Sequence, residues 1–141
     1  MTQPIRVLLV EDNPADADLT RETLEMSKLR LDIDTVEDGA EALSLLSQRA
    51  EMSPGALPDL ILLDLNLPKV NGREVLAAIR RHEVLRHIPV VVLTSSNAEA
   101  DIVKSYEIGA NCYVTKPVGL EAFREIVGSV ERFWFTVVRL P

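Results

Sequence analysis

The sequence is built around short runs that are apolar without interruption and then stop at a charge or a hydroxyl: VLLV before Glu11 and Asp12, LILL before Asp64, and VVVL before Thr94. A strand with no alternation of apolar and polar residues has both faces covered, as in a parallel sheet held between helices. Amphipathic segments with almost no filler separate these runs, so the chain reads as five strand–helix units. The expected strands are Ile5–Val10, Leu31–Glu37, Leu60–Asp64, Ile88–Thr94 and Asn111–Thr115, the second more polar than the rest and therefore placed at an edge. The fold class that follows is α/β: a doubly wound (βα)5 arrangement, a five-stranded parallel sheet with helices on both faces.

The helices carry their own punctuation. Asn13 caps the first and Pro14 opens it, with Ala15, Leu19, Thr23 and Met26 on one face. The second, about Gly39 to Ala50, turns Ala42, Leu43, Leu46 and Ala50 inward and is followed by EMSPGALPD, the longest loop. The third begins near Asn71 with Val75, Leu76 and Ile79 as its stripe, and the fourth runs from Ala98 to Ile108 before Gly109 stops it. The fifth starts after Pro117 and continues toward the C-terminus. At 141 residues this is one domain with one sheet.

Composition removes several functions. A net charge of −7 repels nucleic acid and anionic membrane surfaces, so neither is an expected partner. No apolar run approaches the ~18 residues of a membrane span, and nothing at the N-terminus resembles an export signal, so the expected location is cytoplasmic. Cys112 is the single cysteine and reads as a small buried hydrophobe. The six glycines, at 39, 55, 72, 109, 119 and 128, form no phosphate-cradling cluster, against a nucleotide or flavin binder.

Open parallel sheets place their sites beyond the carboxyl ends of the strands. Glu11, Asp12, Asp64, Thr94 and Lys116 all fall at that edge. An ionised Asp64 at the end of a buried strand needs a cation or several donors. Converging carboxylates repel by about 4 kcal/mol per pair at an effective dielectric near 20, which asks for a metal. Oxygen ligands without His or usable Cys select a hard cation, and few carboxylates with water in the remaining positions suit Mg²⁺.

These residues resemble those of a response-regulator receiver domain, the phosphoaspartate switch of two-component signalling, over about residues 4 to 130. The likeness rests on the acidic pair in LLVEDN, Asp64 in LLDLNLP, the loop Pro68 to Gly72 ending in Asn71 and Gly72, Thr94 in VVVLTSS, and the Lys116–Pro117 pair. The resemblance implies a flavodoxin-like fold and a chain that catalyses only its own phosphorylation and dephosphorylation. Asp64 would take a phosphoryl group from a histidine of a sensor histidine kinase. Mg²⁺ would be held by Asp12, Asp64 and the backbone carbonyl of Asn66, with Glu11 acting through water. Lys116 and Thr94 would bind phosphoryl oxygens, and Tyr113 would report the phosphorylation state by turning into space that Thr94 vacates. Ser95, Ser96 and Asn66 would tune phosphate lifetime.

The tail and the long loop before the third strand are similar to those of small stand-alone regulators serving cyanobacterial phytochrome histidine kinases, which implies such a kinase as partner and a protein contact as output. Residues 131–141 read as an extension of the last helix. Leu120, Phe123, Val127, Val130 and Trp134 form one apolar face there, flanked by Ile126, Phe133, Val137 and Leu140, a stripe broader than a sheet can cover. Phe133, Trp134, Phe135 and Val137 are therefore expected at a homodimer contact. His82 and His87 read as exposed residues around the end of the third helix, and Lys69 and Arg73 as solvated. A haloacid dehalogenase-like phosphohydrolase, which resembles D-x-D at the nucleophile, is the enzyme alternative; here the second position is Asn66. A degenerate receiver used only as a scaffold conflicts with the intact set of acids, Thr and Lys.

Overall fold

The computed structural model describes residues 4–26, 30–96 and 98–134. Five parallel strands, β1 (Ile5–Val10), β2 (Leu31–Val36), β3 (Leu60–Leu63), β4 (Val90–Thr94) and β5 (Cys112–Thr115), lie in the order β2-β1-β3-β4-β5. The helices between and after them are α1 (Pro14–Glu25), α2 (Gly39–Met52), α3 (Gly72–Arg81), α4 (Glu99–Ile108) and α5 (Leu120–Arg132). The doubly wound fold expected from the sequence is present, with the polar β2 at an edge.

Alternate strand residues feed two separate layers. Leu8, Val10, Ile61, Leu63, Val90 and Val92 pack with Ala42 and Leu46 of α2 and Val75, Leu76 and Ile79 of α3. Val7, Leu9, Leu60, Leu62, Val91 and Leu93 pack on the other side with Ala17 and Leu24 of α1 and Phe123, Val127 and Val130 of α5. Uninterrupted apolar strands are thus explained by two covered faces.

The sequence reading needs correction at several places. β3 ends at Leu63 and β4 starts at Val90, because a 3-10 turn at Leu85–His87 and Pro89 precede it. β2 stops at Val36 and β5 starts at Cys112. In α1 the buried residues are Ala17, Thr20 and Leu24, while Ala15 is exposed and Met26 is 78% exposed. Thr20 takes a core position because its hydroxyl donates to the Asp16 carbonyl at 2.7 Å, leaving its methyl to pack. In α5, Leu120 is exposed at the helix start, whereas Trp134 is buried and Phe133 stands half exposed against its ring edge. Phe135, Val137 and Leu140 lie outside the described residues.

Caps and close approaches fix where the helices begin. Asn13, Asp38 and Asn71 each accept from the amide three residues on. Gly72 lies so close to β3 that an added Cβ would come within 2.3 Å of the Asp64 carbonyl oxygen. Gly109 ends α4 with φ 127°, a conformation that favours glycine. No helix of the described residues is long and apolar enough to cross a membrane.

Candidate functional site

The topology brings four strand ends to one edge. Glu11 and Asp12 follow β1, Asp64 follows β3, Thr94 ends β4 and Lys116 follows β5, and β1, β3, β4 and β5 are consecutive neighbours in the sheet. The backbone continues the ladder into the site, with the Asp64 amide on the Val10 carbonyl at 3.0 Å and the Lys116 amide on the Thr94 carbonyl at 2.7 Å. Each side chain is therefore placed by the sheet itself.

Asp64 is held through both oxygens. Its Oδ1 accepts from the Thr94 hydroxyl at 2.8 Å and the Asn66 amide at 3.1 Å, and its Oδ2 accepts from Lys116 Nζ at 3.0 Å. Lys116 also donates to Glu11 Oε1 and, at 3.0 Å, to Asp16 Oδ2. Glu11, Asp64, Thr94 and Lys116 are all buried, whereas Asp12 is exposed.

Crowding sets the charges. Burial, reinforced by neighbouring Asp64, pushes the Glu11 carboxyl up to about 8 against the pull of Lys116. Burial opposes ionisation of Asp64 as well, but bonds from Glu11, the Asn66 amide, Lys116 and Thr94 outweigh it and keep Asp64 below the usual carboxylate range. Burial likewise works against the Lys116 ammonium, yet Glu11 and Asp64 hold its pKa above the ordinary value. The arrangement is an ionised Asp64 beside a charged lysine, with Glu11 bonded to the same ammonium.

One carboxylate oxygen each from Glu11, Asp12 and Asp64 lies within 4.8 Å of the others. An all-oxygen donor set of this charge fits a divalent hard cation, with Asp12 open to solvent as the entry side. Asn66, two residues on, donates its backbone amide to Asp64 Oδ1.

The residues around this centre divide clearly. Tyr113 donates its hydroxyl to the Ser96 carbonyl at 2.7 Å and its ring packs against the α2–α3 layer. Ser96 donates to Asp101 of α4, and Arg73 at the start of α3 pairs with the other Asp101 oxygen. Ser95 is exposed. His82 is a cap: its Nδ1 accepts from the amides of Val84 and Leu85 at 3.1 and 3.2 Å. Lys69 pairs with Asp38 at 3.6 Å, and Arg73 is committed to Asp101 rather than solvated.

Two contributors escaped the sequence reading. Asp16 reaches Lys116 from the first turn of α1, and Asp101 ties Ser96 to Arg73. Asp16, in the first turn of α1, reads locally as an acid suited to a helix start, and no local signal pointed to its partner. Nothing local pointed to the second.

The strand order, the acid cluster and the Thr–Lys grip on one aspartate define a class of protein. Consistent with that geometry, residues 7–128 match the response regulator receiver domain, and the chain belongs to that family. It is a response regulator, a signalling protein whose phosphoacceptor role follows from its family. Among curated relatives it is similar to the response regulator Rcp1 of Synechocystis, with 46% identity over 98% of this chain and 94% of that one. It is also similar to the polar-differentiation response regulator DivK of Brucella anthropi, with 33% identity over 89% of this chain and 95% of that one. Among solved structures, the phosphorylated cyanobacterial phytochrome response regulator RcpA aligns with a TM-score of 0.93, at 47% identity and 99% coverage of both chains. The Mn²⁺-bound form of Rcp1 aligns with a TM-score of 0.91 at 46% identity, over 98% of this chain and 99% of that one. A haloacid dehalogenase-like phosphohydrolase is not favoured.

Proposed function

We propose that Asp64 is the phosphoacceptor of this response regulator and that its donor is a histidine of a sensor kinase. The observation that carries this reading is the grip on Asp64, with Thr94 on one oxygen, Lys116 on the other and Glu11 and Asp12 alongside. In the transfer, an Asp64 oxygen attacks phosphorus, the bond from phosphorus to the donor nitrogen breaks, and the electron pair stays with the donor. Lys116 holds Asp64 ionised and offers charge to a phosphoryl oxygen. The Thr94 hydroxyl turns from Asp64 to another phosphoryl oxygen.

Glu11, Asp12, Asp64 and the Asn66 carbonyl would hold Mg²⁺, which when bound neutralises charge on the transferring group. The relation to RcpA, a phytochrome response regulator, supports a phytochrome kinase as the partner. Departure of Thr94 from Asp64 frees space beside Tyr113, whose bond to Ser96 makes it the reporter of phosphorylation, while Ser95 and Ser96 tune phosphate lifetime. Residues 4–130 are the receiver, and 131–141, through Phe133, Phe135 and Val137, supply a homodimer contact, while Trp134, expected there as well, is buried in the chain's own core; the half-exposed Phe133 supports this. The net charge of −7 supports a protein partner over nucleic acid or membrane.

Acetyl phosphate with Mg²⁺ is expected to add one phosphoryl group at Asp64, and EDTA to prevent it. Intact-mass spectra of wild type and Asp64→Asn test the assignment; equal labelling of both would refute it.

A further inference from the structure

Lys116 carries three N–H donors and meets three carboxyl acceptors: Glu11 Oε1, Asp64 Oδ2 at 3.0 Å and Asp16 Oδ2 at 3.0 Å. An ammonium has no fourth donor. If Asp64 is the phosphoacceptor, on which this inference rests, an incoming phosphoryl oxygen finds Lys116 fully engaged. One of the three contacts must be surrendered.

Exposure decides which. The side chains of Glu11 and Asp64 are 2% and 8% exposed, and that of Asp16 is 32% exposed. Releasing Glu11 would leave a buried polar group without its partner, which costs more than the bond is worth in water. Asp64 becomes covalently joined to the phosphoryl group, so Lys116 stays beside it. Asp16 alone has water to turn to. It stands on the first turn of α1, apart from the three acids whose oxygens converge for a cation.

We propose that Asp16 is a positioning residue for Lys116: it occupies the third ammonium donor in the unphosphorylated protein and yields it to the phosphoryl oxygen, so its carboxylate sets how readily Asp64 is phosphorylated. With acetyl phosphate as donor, a bond forms between phosphorus and an Asp64 oxygen, the bond from phosphorus to the acetyl oxygen breaks, and acetate leaves with the electron pair. The Asp16–Lys116 contact is lost in that step. Removing the carboxylate beforehand removes that loss from the barrier.

The test is the initial rate of Asp64 labelling by acetyl phosphate at saturating Mg²⁺, read by intact mass, for wild type, Asp16→Asn, Asp16→Ala and Asp16→Glu. Melting temperatures are recorded alongside. The expected result is a rate about three to five times that of wild type for the Asn and Ala variants, the range a partly exposed ion pair supports. Asp16→Glu, which restores the charge, returns the rate toward wild type. A purely structural role would change the melting temperature and not reproduce that rescue. Rates unchanged or lowered in both neutral variants, or a Glu variant as fast as Asn, overturn the inference while wild-type labelling leaves the phosphoacceptor reading intact. Absence of label on wild-type Asp64 overturns both.

Discussion

At Asp64 both carboxylate oxygens accept from the protein, and the acid that remains open to solvent is Asp12. A cation arriving there binds the native state and not the unfolded chain, so it stabilises by mass action, about 2.7 kcal/mol at a hundred times Kd. Asp12→Ala is expected to abolish the Mg²⁺-dependent rise in melting temperature, measured by calorimetry with and without EDTA, because Glu11 and Asp64 alone leave a poor site. Most of this centre was legible in the sequence, since a residue that ends an apolar run in a parallel sheet has nowhere to go but the site edge. Asp16 was not legible for a physical reason. An acid in the first turn of a helix already has a complete explanation in the helix dipole, so its reach to Lys116 leaves no trace in local pattern.

Among the elements, α3 is seated most tightly against the site. A Cβ at Gly72 would meet the Asp64 carbonyl oxygen at 2.3 Å and the Leu65 Cα at 2.5 Å, both backbone atoms that no rotamer change can move. Gly72→Ala is expected to cost about 3 kcal/mol, the upper part of the overpacking range, in urea unfolding, and to slow phosphorylation as Asp64 shifts. The start of α2 has a different sensitivity. The Glu41 amide, bound at 2.7 Å and opposed only by partial burial, holds Asp38 below its ordinary 3.8, with Lys69 helping. A depressed carboxylate stabilises the fold above its unfolded value and loses that contribution as pH falls through the folded one. Asp38→Asn keeps an acceptor at the cap, so the stability gap between wild type and variant is expected to narrow below pH 3.8 in urea titrations, and a gap constant with pH would contradict it. α1 begins where the sequence put it, but its buried face was misassigned, because that stripe includes Thr20, and a hydroxyl satisfied by its own helix cannot be told from an exposed one by residue type.

For the whole molecule, the strand order and both covered layers followed from the apolar runs, but how much of α5 the sheet could cover did not. Trp134 closes over the layer beside Val130, while Phe133 remains half exposed next to it. Sedimentation velocity on the full chain and on one ending at Arg132 is expected to show association only for the full chain, increased by phosphodonor; equal behaviour would exclude a dimer held by the C-terminal residues. At the opposite end of the sheet from Asp64, Arg80 donates to the carbonyls of Gly109, Arg86 and Ile88 and to the Asn111 side chain, joining the end of α3 to the starts of β4 and β5. The two ends of α4 are consequently fastened in different ways. Its C-terminal end is tied to Arg80 through the Gly109 carbonyl, whereas its first turn is tied through the Ser96–Asp101–Arg73 side chains. α4 is thus a rod about 15 Å long whose two ends are held by different chemistry. A displacement at Thr94 would therefore meet side-chain ties at the first turn of α4 and the Arg80 bond to the Gly109 carbonyl at its far end.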